Sequence, residues 1–276
     1  MSLSGTPRLR RDALGVGLRP SFYPEIAAAD PVADYFEIIT ENYLHPGSPP
    51  ARALERIQAR FPIVLHGVTL NLLGHAPLDG AYVGDVAALA ERVRAPFVTD
   101  HLCWTGAHGV NHHDLLPTPY VPELVDLAAA RARQVQAAVG RPFGIENLST
   151  YAAFRRSSMT EWEFYGEVVR QSGCWFMLDI NNVFVSSVNH AFDPKEYLRS
   201  IDYSRVLQVH LAGHTVEPDG TIIDTHDKPV ADAVWDLYRY AWSIGGPFPT
   251  LVEWDADLPP LSDVLRELER AREARR

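Results

Sequence analysis

Eight short apolar segments, spaced along most of the chain, constrain its fold more than any other feature. They are GVGLR (15–19), YFEIIT (35–40), PIVLHGV (62–68), PFVTDHL (96–102), PFGIEN (142–147), WFMLDIN (175–181), RVLQVHLA (205–212) and PTLVEW (249–254). Each is rich in Val, Ile, Leu and Phe and is bounded by Gly, Pro or polar residues. A strand buried on both faces reads this way, because a parallel sheet covered on each side has no solvent face to make polar. Between most of them, apolar residues recur at three- and four-residue spacing, as in ARALERIQARF, VGDVAALAERV and VPELVDLAAARARQVQAAV, which predicts helices. Eight strands alternating with helices in 276 residues is the count of a (β/α)8 TIM barrel, an α/β fold. An open doubly wound sheet is the competing reading, but no G-x-G-x-x-G or Walker A loop follows any segment. No linker or low-complexity stretch breaks the alternation. Residues 1–276 therefore read as a single domain with a core from about 15 to 265.

Helix ends carry their own signals. Thr160 and Glu163 form a capping-box pattern at the start of TEWEFYGEVVRQSG, and Gly173 follows its end. Asp193 and Pro194 suit the N-cap and first position of DPKEYLRSI. VADAVWDLYRYAWSIGG is a further candidate helix. SDVLRELERAREARR reads as a C-terminal helix capped by Ser262.

The chemistry gathers at the C-terminal ends of the predicted strands. His66 closes the third and Asp100-His101 the fourth. Glu146-Asn147 closes the fifth, and Asp179-Ile180-Asn181-Asn182 the sixth. His210 closes the seventh, with His214 beyond it and Asp224 and His226 in the following loop. Glu253 closes the eighth. In a barrel these ends converge on one mouth, where barrel enzymes keep their active sites. Taken singly, a strand-end histidine is more often a hydrogen-bonded core residue, and Asp224-Thr225-His226 alone could be a turn. Repetition of metal-competent residues at the same place in six successive units argues for a site. Imidazole and carboxylate together suit Fe, Mn or Zn. Four histidines (His66, His101, His210, His226) and four carboxylates (Glu146, Asp179, Asp224, Glu253) exceed what one ion takes, so two or three bridged ions are expected. Carboxylates crowded into one cavity without a cation would repel one another strongly. If the sixth strand continues, Asp179 and Asn181 share a face, which favours Asn181 over Asn182 as an oxygen ligand. By the same alternation Cys103 follows His101, a position that suits a pocket wall or a buried structural thiol. His45, His75, His108, His112 and His113 lie in polar loops and read as solvated or lid residues, and His190 as the same.

Composition narrows the partners. The net charge is −10, whereas a sequence-independent nucleic-acid binder needs a basic surface, so no nucleic acid is expected. Two cysteines, Cys103 and Cys174, are no disulfide framework. The basic N-terminal stretch MSLSGTPRLRRDALG lacks an apolar h-region, and no apolar run approaches a membrane span. A cytoplasmic setting without membrane contact is the expectation.

The segments GVGLRPSFY, YFEIITENY, LHGVTLNLLG, DHLCWTG, HDLLPTPY, GIENLSTY, LDINNVFVSSVNHAFDP, QVHLAGH, IDTHDKPV and LVEWDADLPPL resemble the multinuclear non-haem iron-dependent oxidative enzymes, the family that includes the methanobactin-building oxidase. The resemblance runs from residue 15 to about 265. It implies a xylose-isomerase-like TIM barrel holding two or three iron ions (Fe2+/Fe3+). The ligands would be His66, His101, Glu146, Asp179, His210, Asp224, His226 and Glu253. Glu146 would bridge irons, and Glu146, Asp179 and His210 would be the catalytic set. The resemblance further implies dioxygen as co-substrate, a cysteine of a ribosomally synthesised precursor peptide as the site of oxidation, and a separate peptide-recognition partner protein. His113 and Lys228 sit where substrate choice would lie. The alternative is a divalent-metal (Zn or Mn) isomerase or phosphodiesterase on the same barrel, and a third reading is a scaffold with structural metals.

Overall fold

A computed structural model describes residues 8–29, 31–107 and 110–276, without the side chains of 107, 111 and 113. The chain begins with β1 (Leu14–Gly17), α1 (Tyr23–Ala28), β2 (Tyr35–Ile39), α2 (Pro49–Gln58), β3 (Ile63–Gly67), α3 (Gly80–Arg92) and β4 (Val98–His101). A hairpin of β5 (Trp104–Ala107) and β6 (Val110–Leu116) follows, then α4 (Pro122–Val139), β7 (Phe143–Glu146), α5 (Glu161–Ser172) and β8 (Trp175–Asp179). Next come α6 (Ile180–His190), α7 (Pro194–Ser200) and β9 (Val206–Leu211). A second hairpin, β10 (Thr215–Val216) and β11 (Ile222–Ile223), leads to α8 (Asp232–Gly245), β12 (Thr250–Val252) and α9 (Leu261–Ala274).

Eight of these strands close into a parallel barrel in the order β1-β12-β9-β8-β7-β4-β3-β2. All eight apolar segments read from the sequence supply one stave each, and the open sheet is excluded. β5 pairs with β6 and β10 with β11, each pair an antiparallel hairpin that follows a barrel strand. No helix among the described residues is long and apolar enough to cross a membrane.

Alternation along the strands builds the interior in two layers. Tyr35, Val64, Phe97 and Leu251 form a buried cluster separate from the larger one between strands and helices. Two residues further along the same strands stand Glu37, His66, Thr99 and Glu253, all buried. Side chains at i and i+2 share a face of a strand, so each polar residue is set one step above an apolar one. The result is a dry plug with a polar ring directly over it. Gly15 makes room for that plug: a Cβ there would overlap the Tyr35 ring.

The helix signals hold with one exception. Thr160 and Glu163 form a capping box, and Gly173 ends α5 in a left-handed conformation (φ 71°), which glycine adopts without a Cβ clash. The Asp193 side chain caps α7. In α9 the cap position belongs to Pro260, not Ser262: the helix starts at Leu261 and Ser262 lies inside its first turn. The sequence signals no helix over INNVFVSSVNH, because Asn, Ser and Val are weak helix formers. One forms there as α6, with the Asp179 side chain accepting from the Asn182 amide at its start.

Candidate metal centre

The eight ligand candidates gather at one mouth of the barrel. One cavity of about 450 Å³ is lined by His66, His101, Glu146, Asp224, His226 and Glu253. Asp179 and His210 are fully buried beside it. Four ligand-competent triads overlap there, each with its donor atoms within 4.8 Å of one another: His66–His101–Glu146, Glu146–Asp179–His210, Asp179–His226–Glu253 and Glu37–His210–Glu253. Glu146, Asp179, His210 and Glu253 each belong to two triads, so the set is a chain of adjoining sub-sites with shared carboxylates.

The first triad shows what kind of group it fits. His66 Nε2 and His101 Nε2 lie 3.1 and 3.0 Å from Glu146 Oε2. Those lengths resemble hydrogen bonds, yet Oε2 is buried with no partner in hydrogen-bond geometry. The other ring nitrogens explain why. His101 Nδ1 lies 3.1 Å from the Gly67 carbonyl, to which it can only donate. His66 Nδ1 lies 2.8 Å from Thr99 Oγ1, whose own proton goes to the Leu65 carbonyl. When neutral, each ring therefore carries its proton on Nδ1 and turns a bare Nε2 lone pair toward the carboxylate. Lone pairs facing at 3 Å need a proton or a metal ion between them. Ligand atoms about 2.1 Å from one ion stand roughly 3 to 3.4 Å apart in octahedral and tetrahedral shells, close to these lengths.

The same demand recurs across the cavity. Asp179 Oδ2 and His226 Nε2 are also buried without a hydrogen-bond partner, although His226 Nε2 is 2.8 Å from Asp224 Oδ1. Burial pushes the Asp179 carboxyl well above its usual range, and the Glu146 charge adds to the push. Burial opposes a charge on His66, but the Glu146 carboxylate outweighs it and raises His66 to about 9. Burial lowers His101 and keeps it neutral. Burial also opposes charge on Glu253, which His210, His226 and Arg19 nevertheless hold ionised, well below the usual range. Protons alone would fill this site only by leaving Asp179 neutral and His66 charged; a metal ion satisfies the same atoms at once.

Around these atoms stands a second ring of supports. His210 is gripped on both sides, with Nδ1 3.1 Å from Glu253 Oε2 and Nε2 3.1 Å from Glu37 Oε1. Gln208 donates to Glu37 Oε2 at 2.8 Å. His226 Nδ1 lies 3.0 Å from Asp255 Oδ2, and the Arg19 guanidinium binds both Asp255 and Glu253. His226 itself has a left-handed backbone (φ 47°), a strained state for a residue with a Cβ, held by its amide on the Gly213 carbonyl. Asn147 fixes Asp179 from behind, exchanging hydrogen bonds with its amide and carbonyl, both at 2.9 Å.

Asn181 requires a correction. β8 stops at Asp179 and α6 begins at Ile180, so strand alternation does not extend to Asn181. Its amide nitrogen donates to Asp224 Oδ1 at 2.7 Å, and its oxygen lies 2.8 Å from His214 Nδ1. Asn182, not Asn181, lines the cavity. His214 packs on Phe184 and holds Asn181 rather than lining the cavity. Cys103 is fully buried and stands outside the cavity lining, because β4 ends at His101. His190 is not a free loop residue; it ends α6 and bonds Thr150. Lys228 donates to Thr215 Oγ1. His108 and the His113 side chain lie outside the described residues.

Sequence reasoning misses four contributors: Glu37, Gln208, Arg19 and Asp255. Glu37 has a visible signal, a lone acid at the centre of the apolar run YFEII. Arg19 has none, since an arginine two residues past a strand end looks solvated; here it is 6% exposed.

Comparison with known proteins gives this geometry its setting. A sequence model of the family described as RiPP precursor modification enzyme MbnB/TglH/ChrH matches residues 13–276. A UPF0276 protein of Caulobacter vibrioides is 42% identical over 262 residues, covering 95% of this chain and 93% of the relative. One from Rhizorhabdus wittichii is 43% identical over 267 residues, covering 96% and 95%. Among solved structures, a D-tagatose 3-epimerase-like protein superposes with a TM-score of 0.62 at 17% identity, covering 95% of this chain and 96% of that one. Endonuclease IV from Thermus thermophilus superposes at 0.58 with 15% identity, covering 95% and 99%. At such identities these two likenesses concern the fold alone, a closed parallel (β/α)8 barrel.

Proposed function

From its place in the MbnB/TglH/ChrH family, a family of enzymes that modify RiPP precursor peptides and to which this chain belongs, we propose that it is a multinuclear iron-dependent oxidase or oxygenase. Its substrate is a cysteine of a ribosomally synthesised precursor peptide, and dioxygen is its co-substrate. The observation that carries this reading is the set of orphaned, buried ligand atoms facing one cavity: Glu146 Oε2, Asp179 Oδ2 and His226 Nε2.

His66, His101 and Glu146 would hold one ion. Glu146, Asp179 and His210 would hold a second, and Asp179, His226 and Glu253, with Asp224, a third. When bound, the irons would supply Lewis acidity toward a thiolate and electrons for dioxygen; a redox-inactive zinc could offer only the first. The protein's own share is placement. Glu146 and Asp179 span neighbouring sub-sites and fix the spacing of their occupants. Glu37 and Gln208 lock His210, while Arg19 and Asp255 lock His226. The apolar plug of Tyr35, Val64, Phe97 and Leu251 closes the floor to water. Leu115, Tyr151 and Thr225 also line the cavity, whose volume of about 450 Å³ suits entry of one side chain of a peptide. Val188 and Val216 are apolar and exposed, which suits contact with a separate peptide-recognition protein.

The test is to give anaerobically iron-loaded protein, then air, a precursor peptide encoded beside it, with and without the adjacent gene product. A mass change on cysteine, abolished by Cys→Ser in the peptide, is the expected result. Turnover of a sugar or phosphodiester under argon, with no oxygen uptake on any peptide, would favour the redox-inactive Zn or Mn enzyme instead.

A further inference from the structure

A second cavity lies behind the rim of the first. Ser149 and Tyr151 line the metal-site cavity, while Thr150 and Ala152, alternating with them, line the other. The end of β6 is shared in the same way: Asp114 and Leu115 face the first cavity, Pro117 and Thr118 the second. Two stretches of single chain are thus the partition between them.

The second cavity, of about 230 Å³, presents carbon to a ligand. Tyr120, Phe154, Trp162 and Phe192 supply its aromatic walls. Its polar groups are turned inward. Glu161 accepts from Tyr120 at 3.0 Å and Tyr197 at 3.1 Å, His190 bonds Thr150, and Ser157 accepts from the Tyr120 amide. Thr118 Oγ1 is the exception, buried and without a partner, so it can meet one polar group of an incoming molecule. Sites for whole drug-sized molecules start at about 300 Å³. This one is smaller, the size of a single side chain. Phe154 and Tyr151, 40% and 49% exposed, continue the apolar surface from the pocket to the mouth.

Resting on the peptide reading above, we infer that this cavity is a specificity subsite that takes an aliphatic or aromatic side chain of the same peptide whose cysteine enters the metal cavity. A wall one chain thick with side chains on both faces is roughly 10 Å across. Extended peptide covers that distance in about three residues. The recognised side chain therefore stands about three positions from the cysteine.

The test uses ferrous-loaded protein under argon and three sets of blocked glycine peptides: one with a single cysteine, one with a single leucine, and one with cysteine and leucine three positions apart, in both orders. Binding is read by calorimetry on the wild type, on Ala153→Trp, which fills the pocket from an exposed loop position, and on Phe154→Ala, which removes a wall. Melting curves and metal content confirm that each variant is intact. Expected is about tenfold or more tighter binding of one cysteine–leucine peptide over the cysteine-only peptide, the scale of burying one leucine. Both variants lose that gain and keep cysteine-only binding. Cysteine binding with no leucine gain, or a gain that survives both variants, overturns the subsite and leaves the peptide reading standing. A leucine-only peptide that binds and is lost with Ala153→Trp, while no cysteine peptide ever binds, supports the apolar subsite and sinks the cysteine reading.

Discussion

Asp255 holds His226 from behind: its Oδ2 lies 3.0 Å from His226 Nδ1, and its other oxygen is bound by the buried Arg19 guanidinium. A carboxylate can only accept, so it fixes the ring proton on Nδ1 and turns Nε2 into the cavity. Partners of this kind are worth about 10–100-fold in metal affinity. Asp255→Asn, which can donate instead, should weaken one sub-site by that factor and leave the one at His66 and His101 unchanged. Chelator competition resolves the two. Wild-type affinity at the His226 sub-site in the variant would show that Asp255 does not orient His226.

Glu146 stands in two triads and His226 in one. Glu146→Ala should therefore remove two ions' worth of binding, and His226→Ala one. Metal analysis of anaerobically loaded protein reads the difference directly. If His226→Ala kept both metal content and activity, the Asp-Thr-His segment would be a turn and nothing more.

The plug beneath the site makes a stability prediction. Phe97 is 4% exposed and belongs to the small inner cluster. Phe97→Ala should cost about 3–5 kcal/mol, transfer and cavity terms together. Urea unfolding measures it. A loss under about 1 kcal/mol would mean the barrel floor collapses to refill the space.

Glu161 makes a pH prediction away from the metals. Burial raises its carboxyl from 4.5 to about 7, although Tyr120 and Tyr197 donate to it. The folded state thus holds a proton that the unfolded state releases near 4.5. The stabilising effect is full below about 4.5 and is lost as pH rises through about 7, with a ceiling of about 3 kcal/mol. Glu161→Gln cannot titrate. The stability of the wild type relative to this variant should fall between about pH 5 and pH 8 in denaturant titrations. Parallel pH profiles for the two proteins would show that Glu161 ionises freely in the fold.

How legible is all this in the sequence? The barrel is, because a strand buried on both faces leaves a dense apolar run that little else produces. The convergence of six of the eight ligand candidates is, because strand ends put them in equivalent places; Asp224 and His226 stand in a loop and are picked out by residue type alone. Asn181 is misplaced for a local reason: Asp179 spends its side chain on capping α6, and a strand that turns into a helix at that point ends the alternation. Glu37 lies inside a run that reads as apolar. Arg19 and Asp255 come from opposite ends of the chain, 236 residues apart, and only barrel closure between β1 and β12 joins them. The second cavity is invisible to pattern reading, since its walls come from loops whose spacing carries no period.

If the strand ends hold adjoining metal ions, Glu146 stands between two of them. Anomalous diffraction at the iron edge, on crystals grown and loaded with ferrous iron under argon, locates those ions. Expected are at least two iron peaks, one bound by His66, His101 and Glu146 and another by Glu146 together with Asp179 and His210. A single peak, or iron bound away from Glu146, would contradict this arrangement.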